Sequence, residues 1–371
     1  RTPSRFIQRL VVLYNGVRLS AVDYPNRHVN LSFNGVLAES PKSWSLNLPS
    51  NQSQKDRVGQ AMQHAGITHQ AWRIAQNQGH AKPRLTSFDL FVHDAVQCPG
   101  GVDSRPAARA GQFYPDTAQD IHSQIKEQMD KVQDVASRHA RAVMLPHAGW
   151  AFCQDMIART LAEVHVPDLV IVIAPKHTPH GAHWSVANHQ SWELPSGLVP
   201  IDTECVGQLL DLMPSLKCES QAHDQEHAVE VLLPWLVAKN PTVRVVPMVF
   251  GHSNFEQLEE LGETLAKLIE KMDAPPLIVI SSDMNHFDDV QTTHVKDKQA
   301  LDAMCSGDGQ KLFDTCLNNQ ISMCGMRPAV AVMHALSVNG PIKPRLIAQA
   351  DSSAVSGDST RVVGYAGVVI D

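Results

Sequence analysis

Four histidines and one cysteine stand beside apolar runs in the last two-thirds of this sequence, and such side chains bind metals and move protons. His147 follows Ala-Val-Met-Leu-Pro, His177 follows Leu-Val-Ile-Val-Ile-Ala-Pro-Lys, and His286 follows Pro-Leu-Ile-Val-Ile-Ser-Ser-Asp-Met-Asn. His227 begins a stretch with helical spacing, and Cys324-Gly325 lead into another that opens Arg327-Pro328. Ligands of open α/β sheets bind just beyond the carboxyl ends of the strands. Imidazoles delivered there from separate parts of a chain point to a metal or proton-transfer site. Two imidazoles plus one anionic group, with positions left open, is the plan of a non-haem iron(II) centre. A thiolate as the anion shifts the preference toward iron, copper or zinc and away from magnesium or calcium, and leaves those three open.

Each motif also has a plainer reading. In Pro146-His147-Ala148-Gly149-Trp150 the glycine permits a tight turn against a ligand, but the histidine can equally cap the next helix. The loop Pro175-Lys176-His177-Thr178-Pro179-His180 is stiffened by two prolines. His180 and His183 are either supporting groups or solvated loop residues. His227 and Glu230 are three apart on a helix and share a face that can meet a pocket, while Asp224 and Glu226 suit the helix dipole. Ser281-Ser282-Asp283-Met284-Asn285-His286 carries an apolar strand into polar residues, which when buried must form a hydrogen-bonded network. Asp283 is placed to orient His286 or a neighbouring ligand through a ring N–H. Cys324, just before a helix, is expected to have its thiol pKa lowered by the helix N-terminus. The other cysteines suit inert burial.

The elements that must position these residues are legible from 141 onward. Strands are expected at 142–145, 169–174, 243–250 and 277–281, where continuous apolar runs suit parallel strands covered on both faces. Two more close the chain at 345–350 and 361–370. Helices are expected near 116–137, 154–164, 226–238, 255–272, 296–305, 310–317 and 327–338. The alternation predicts an α/β three-layer sandwich with a mostly parallel central sheet. Residues 1–97 read as a small α+β domain. Its strands are expected at 9–14, 28–33 and 43–48, with a tight hairpin turn at Asn34-Gly35, a helix over 56–65 and a last strand or short helix over 86–92. Gly- and Pro-rich 98–109 reads as a linker, and 110–371 as the second domain.

Composition narrows the function classes. The chain has 371 residues, 43% of them hydrophobic, and a formal net charge of −7 with no basic tract. That is ample for a core and gives no electrostatic footprint for nucleic acid. No apolar run reaches the roughly 18 residues of a membrane span. The first residues lack the apolar stretch of a signal peptide, and the missing initiator Met suggests a fragment or processed chain. Seven cysteines without a C-x-x-C pair imply reduced thiols and a cytoplasmic location.

The motifs, in order, resemble the Memo family, known in bacteria as AmmeMemoRadiSam system protein B. The matching pieces are Arg105-Pro-Ala-Ala-Arg-Ala-Gly-Gln-Phe-Tyr-Pro115, Pro146-His-Ala-Gly149, Pro175-Lys-His-Thr178, Glu226-His-Ala-Val-Glu230 with Leu233-Pro234, Ser281-Ser-Asp-Met-Asn-His286, Cys324-Gly325 and Val363-Gly-Tyr-Ala366. The resemblance covers about 105–371. It implies a fold similar to class III extradiol ring-cleavage dioxygenases, metal ligation by His147, His177 and Cys324, and an acid–base role for His286. Those dioxygenases use a carboxylate where this family has cysteine, a departure that bears on ring cleavage itself. Residues 1–95 weakly resemble the later half of an AMMECR-type domain through Asn34-Gly-Val-Leu, Trp44-Ser-Leu-Asn-Leu-Pro49 and Ala65-Gly-Ile, without that family's Arg-Gly-Cys-Ile-Gly motif. The resemblance also implies a functional link to radical-SAM and AMMECR-type proteins.

The resulting expectation is a metal-dependent oxidoreductase of dioxygenase type. His147, His177 and Cys324 would hold iron(II), with copper or zinc as alternatives. His286, oriented by Asp283, would move protons on a small, phenolic substrate, and His227 and Glu230 would support the pocket. Two other readings compete. One is a non-enzymatic scaffold that takes a small molecule or peptide in the same pocket. The other is a zinc hydrolase, since two histidines and a cysteine also suit zinc.

Overall fold

The uninterrupted apolar runs form strands where their composition places them. The computed structural model describes residues 104–132 and 135–371, and before them the backbone of five strands. The chain divides into two compact units, Arg1–Ala95 and Val96–Asp371.

In the first unit, β1 (Leu10–Tyr14) and β2 (Val17–Val22) pair antiparallel. A second sheet has β3 (Ser32–Glu39) between β4 (Trp44–Asn47) and β5 (Leu85–Leu90), both antiparallel to it. The hairpin turn expected at Asn34-Gly35 is not made, because β3 runs through both residues. The pairing of β3 with β5 shifts register between Ser32 and Gly35, so the glycine serves an irregular strand instead of a turn. The helix expected over 56–65 lies outside the described residues, as does the 98–103 part of the expected linker.

The second unit is built on a sheet of nine strands. After the short β6 (Ser104–Arg105), its strands are β7 (Ala142–Leu145), β8 (Leu169–Pro175), β9 (Trp184–Ala187), β12 (Lys217–Glu219), β13 (Arg244–Phe250), β14 (Leu277–Ser281), β15 (His286–Asp288), β16 (Pro344–Asp351) and β17 (Val362–Ile370). Two strands outside that sheet, β10 (Ser191–Leu194) and β11 (Gly197–Pro200), join β6 in a small sheet. The large sheet has the order β12-β9-β13-β8-β14-β7-β17-β15, with β16 also on β17. Neighbours β13, β8, β14 and β7 are parallel, and β17 then turns the edge antiparallel. Every residue of β7 and β14 is buried, as two-sided helix cover requires.

The helices between them are α1 (Ala118–Asp130), α2 (Trp150–Ala162), α3 (Thr203–Leu212), α4 (His227–Glu230), α5 (Leu233–Lys239), α6 (Phe255–Glu270), α7 (Val290–Cys305), α8 (Gly309–Asn318), α9 (Met326–Ser337) and α10 (Ser353–Ser356). The single helix expected over 226–238 is broken into α4 and α5. Pro234 sits in the first turn of α5, and its ring and missing N–H cannot continue the ladder from α4. The architecture is the expected mixed α/β fold with a large, mostly parallel sheet. Among the described residues, no helix is long and apolar enough to cross a membrane.

Two expectations are corrected. Residues 104–109 are no loose linker, because Arg105 is wholly buried and its guanidinium lies 4.1 Å over the ring of Trp192. The cysteines are not all reduced either. Cys218 is disulfide-bonded, whereas Cys153, Cys205, Cys305, Cys316 and Cys324 are free. Spacing along the sequence carries no information on which cysteines meet in space.

Candidate metal centre

Three adjacent parallel strands, β8, β14 and β7, end beside one another and deliver His177, Asp283 and His147 within two residues of their last positions. α4 brings His227 to the same place. The rings of His147, His177 and His227 have centroids 4.6 to 5.3 Å apart. One potential ligand atom from each lies within 4.8 Å of the other two. His147 is buried, His227 half-buried and His177 exposed, so the cluster is closed on the protein side and open on the solvent side.

Hydrogen bonds settle which nitrogens are free. The Ser281 hydroxyl donates to the carbonyl of Ala228 at 2.6 Å and lies 2.7 Å from Nδ1 of His147. A hydroxyl has one proton, so Nδ1 of His147 is the donor in that contact. Nδ1 of His177 lies 2.9 Å from Oε1 of Glu226, and Nδ1 of His227 lies 3.3 Å from the same oxygen. An ionised carboxylate only accepts, so both rings carry their proton on Nδ1. Nε2 is therefore the nitrogen each ring can offer to a ligand. Partners on the far nitrogen of this sort fix the tautomer and orientation of metal-bound histidines.

Electrostatics act on His147 and Glu226 in the same sense. Burial, then the neighbouring rings of His177 and His227, hold the His147 pKa well below its ordinary value, so its ring is neutral at pH 7. Burial alone would raise Glu226, but its hydrogen bonds to His177 and His227 outweigh that and drive its pKa far down. Oε2 of Glu226 also accepts from the backbone N–H of His177 at 2.6 Å. The donor set therefore fits a borderline transition ion: three imidazoles, each braced, with an open side. Glu226→Gln is expected to weaken metal affinity by about 10- to 100-fold, because an amide cannot accept from both rings with equal strength. Competition titration with a chromophoric chelator measures this.

Cys324 lies outside the three-ring group, but its Sγ is 3.3 Å from Nε2 of His147. Its sulfur accepts from the backbone N–H of Asp283 at 3.2 Å. The expectation of a thiol activated by the helix N-terminus fails. Burial first, and then the charge of Asp283, push the Cys324 pKa up, and the N–H groups of Asp283 and Gly325 only partly oppose them. Gly325 lets α9 start this close. A Cβ there would come within 2.5 Å of the Ser281 carbonyl oxygen.

The remaining predicted residues are placed as follows. Oδ1 of Asp283 accepts from the backbone N–H of His147 at 2.8 Å, and burial raises its pKa. The ring it stands nearest is that of His147, whose Nε2 is 4.0 Å from Oδ2, and Nδ1 of His286 is instead held 2.9 Å from the carbonyl of Ser322. Glu230 does not face the cluster. It accepts from Arg105 at 2.6 Å, from Tyr114 Oη at 2.8 Å and from the backbone N–H groups of Ala108 and Arg109. An offset of three is about 300° of a helix and leaves the two side chains roughly 60° apart, and the donors of Arg105, Tyr114 and the 108–109 backbone claim the carboxylate. Its support is indirect, through Phe113, whose ring centroid is 4.7 Å from that of His227. His180 and His183 also stand outside the three-ring group. The sequence reading missed Glu226 as a shared acceptor and Ser281 as the brace of His147. A carboxylate directly before a helix-opening histidine was the available signal for the first.

Comparison with known proteins adds a lineage. A family model described as Memo-like protein matches residues 105–369. A MEMO1 family protein of Methanobrevibacter smithii is 30% identical over 275 residues, covering 71% of this chain and 98% of that protein. Another, from Aquifex aeolicus, is 30% identical over 273 residues and covers 71% and 98%. A crystal structure of an uncharacterised Escherichia coli K12 protein aligns with a TM-score of 0.43 at 13% identity, over 61% of this chain and 99% of that one.

Proposed function

This chain belongs to the Memo family, and from that premise and the three-ring geometry we propose that it is a metal-dependent oxidoreductase of dioxygenase type acting on a small phenolic substrate. The observation that carries the reading is the convergence of His147, His177 and His227 at the carboxyl ends of the strands. His147 and His177 would be the common ligands, with His227 and Cys324 as the further donors around them. Iron(II) is the favoured ion, ahead of copper or zinc, since imidazole and sulfur donors suit all three. Bound there, the ion would supply redox and Lewis-acid chemistry.

The chain's own residues supply the rest. His286, half-buried and within electrostatic range of His147, accepts the phenolic proton, a task suited to an imidazole. Asp283 holds the backbone of His147 in place. The exposed edge of His177 marks the side from which a substrate enters.

Anaerobic purification followed by elemental analysis is expected to find a single transition-metal ion per chain, and iron-loaded protein is expected to take up oxygen with a catechol. Protein that takes up neither iron, copper nor zinc would overturn the metal centre. Stoichiometric zinc with hydrolysis and no oxygen uptake would replace the redox assignment.

A further inference from the structure

We propose that Asn285 and Ser322 are positioning residues that lock His286 in the Nδ1–H tautomer, leaving Nε2 as its free acceptor. The inference rests on the reading of His286 as the proton-moving group. Nδ1 of His286 lies 2.9 Å from the carbonyl oxygen of Ser322. A carbonyl only accepts, so the ring proton in that contact sits on Nδ1. The backbone N–H of His286 also donates to Oγ of Ser322 at 2.8 Å. One serine thus grips both the main chain and the ring of one histidine.

Asn285 holds that serine. It is fully buried, and its Oδ1 accepts from the Ser322 backbone N–H at 3.2 Å and from the Ser322 hydroxyl at 3.1 Å. Its Nδ2 donates to Asp288 Oδ2 at 2.9 Å and faces Thr293 Oγ1 at 3.3 Å. Its backbone N–H donates to Asp297 at 2.8 Å. The Asp288 carboxylate needs a donor and the Ser322 N–H needs an acceptor, so the amide has one orientation that satisfies both.

The backbone points to the same place. Among the described residues, two that are not glycine have positive φ, Phe287 at 68° and Gln320 at 51°. One follows His286 and the other precedes Ser322 by two. Bulky side chains avoid this region, and such strain persists where surrounding contacts over-determine it. The register of β15 against β17 is irregular between His286 and Asp288, and irregularities of this kind re-aim a side chain. Nζ of Lys296 ties the two loops, donating to Asp288 Oδ2 at 2.7 Å and to the Gln320 carbonyl at 3.1 Å. An unconstrained histidine in water favours the opposite tautomer, with the proton on Nε2, so the lock has a measurable consequence.

The test is ¹⁵N NMR of the imidazoles in the full chain loaded with zinc(II), which is not redox-active, at mildly alkaline pH. The His286 signals are assigned by their loss in His286→Gln. The wild-type chain is expected to show a protonated Nδ1 and a free Nε2. Asn285→Ala is expected to shift the tautomer ratio at least tenfold toward Nε2–H, and Ser322→Thr, which keeps the hydroxyl and the carbonyl, is expected to retain the lock. Where Asn285→Ala does not fold, Lys296→Met loosens the same loops from the surface and is expected to shift the ratio in the same direction. A dominant Nε2–H form in the wild type, or an unchanged ratio in a folded Asn285→Ala chain, overturns the inference. Zinc content measured on the same samples separates the two readings. A wild-type chain without zinc counts against the metal centre, whereas a loaded chain with the wrong tautomer counts against the lock alone.

Discussion

Replacing His147 by alanine is expected to lower transition-metal affinity by about two orders of magnitude. Structural zinc sites hold their ion with about 10–16 kcal/mol shared over four ligands, or roughly 3 kcal/mol for each, and that share sets the scale for one imidazole here. His147 is the buried member of the three-ring group, its ring is braced on Ser281, and its Nε2 faces both the other rings and Cys324. Among the described residues, no other side chain is common to the three-imidazole set and to the sulfur contact. Isothermal titration with zinc(II) or anaerobic iron(II) measures the loss, and full occupancy in the variant would remove the centre from consideration. His227→Ala and Cys324→Ala then decide the ligand set. If His227→Ala weakens binding and Cys324→Ala does not, three imidazoles hold the ion. The reverse result assigns the third position to the thiolate. In that case the ion itself must offset the burial and the Asp283 charge that now keep the thiol protonated.

How much of this was legible in the sequence follows from the range of each interaction. The strands β7, β8, β13 and β14 were readable because two-sided burial leaves an uninterrupted apolar run, and a run of that kind has few other uses. Their mouths then gave His147, His177 and Asp283 directly. The short strands over 184–219 were not read, because Ser185, Ser191 and Glu193 interrupt their apolar pattern and their burial comes from neighbours distant in sequence. The same limit hid Glu226. Its partner His177 lies 49 residues away, and a lone glutamate at a helix start reads first as a match to the dipole. Cys324 was legible as a residue, but the direction of its thiol pKa was misread. The helix N-terminus is a local feature, but the burial that dominates its pKa is not.

Arg105 was the largest misreading, and its partner carries the strongest stability prediction. Glu230→Leu is expected to cost about 5 kcal/mol or more. Removing one side of a buried ion pair costs roughly 3–5 kcal/mol because the remaining charge is stranded. Both side chains here have no exposed surface. Glu230 is also the acceptor for Tyr114 Oη and for the backbone N–H groups of Ala108 and Arg109, and each buried donor left without a partner adds about 1–3 kcal/mol. Folded domains have only about 5–15 kcal/mol to lose. The variant should therefore unfold at a midpoint lower by about 10 °C or more, since 1 kcal/mol moves a domain of this size by about 2–4 °C. Glu230→Gln keeps one acceptor oxygen and should lose less. The damage should also reach the metal centre. The segment that Glu230 anchors carries Phe113, whose ring packs against His227, and whose carbonyl accepts from the Trp150 N–H at 2.8 Å where α2 begins. Thermal unfolding followed by circular dichroism, with metal affinity measured on the folded fraction at low temperature, tests both halves. A midpoint within about 3 °C of the wild type would mean the Arg105–Glu230 pair is dispensable. A large drop with unchanged metal affinity would uncouple that pair from His227.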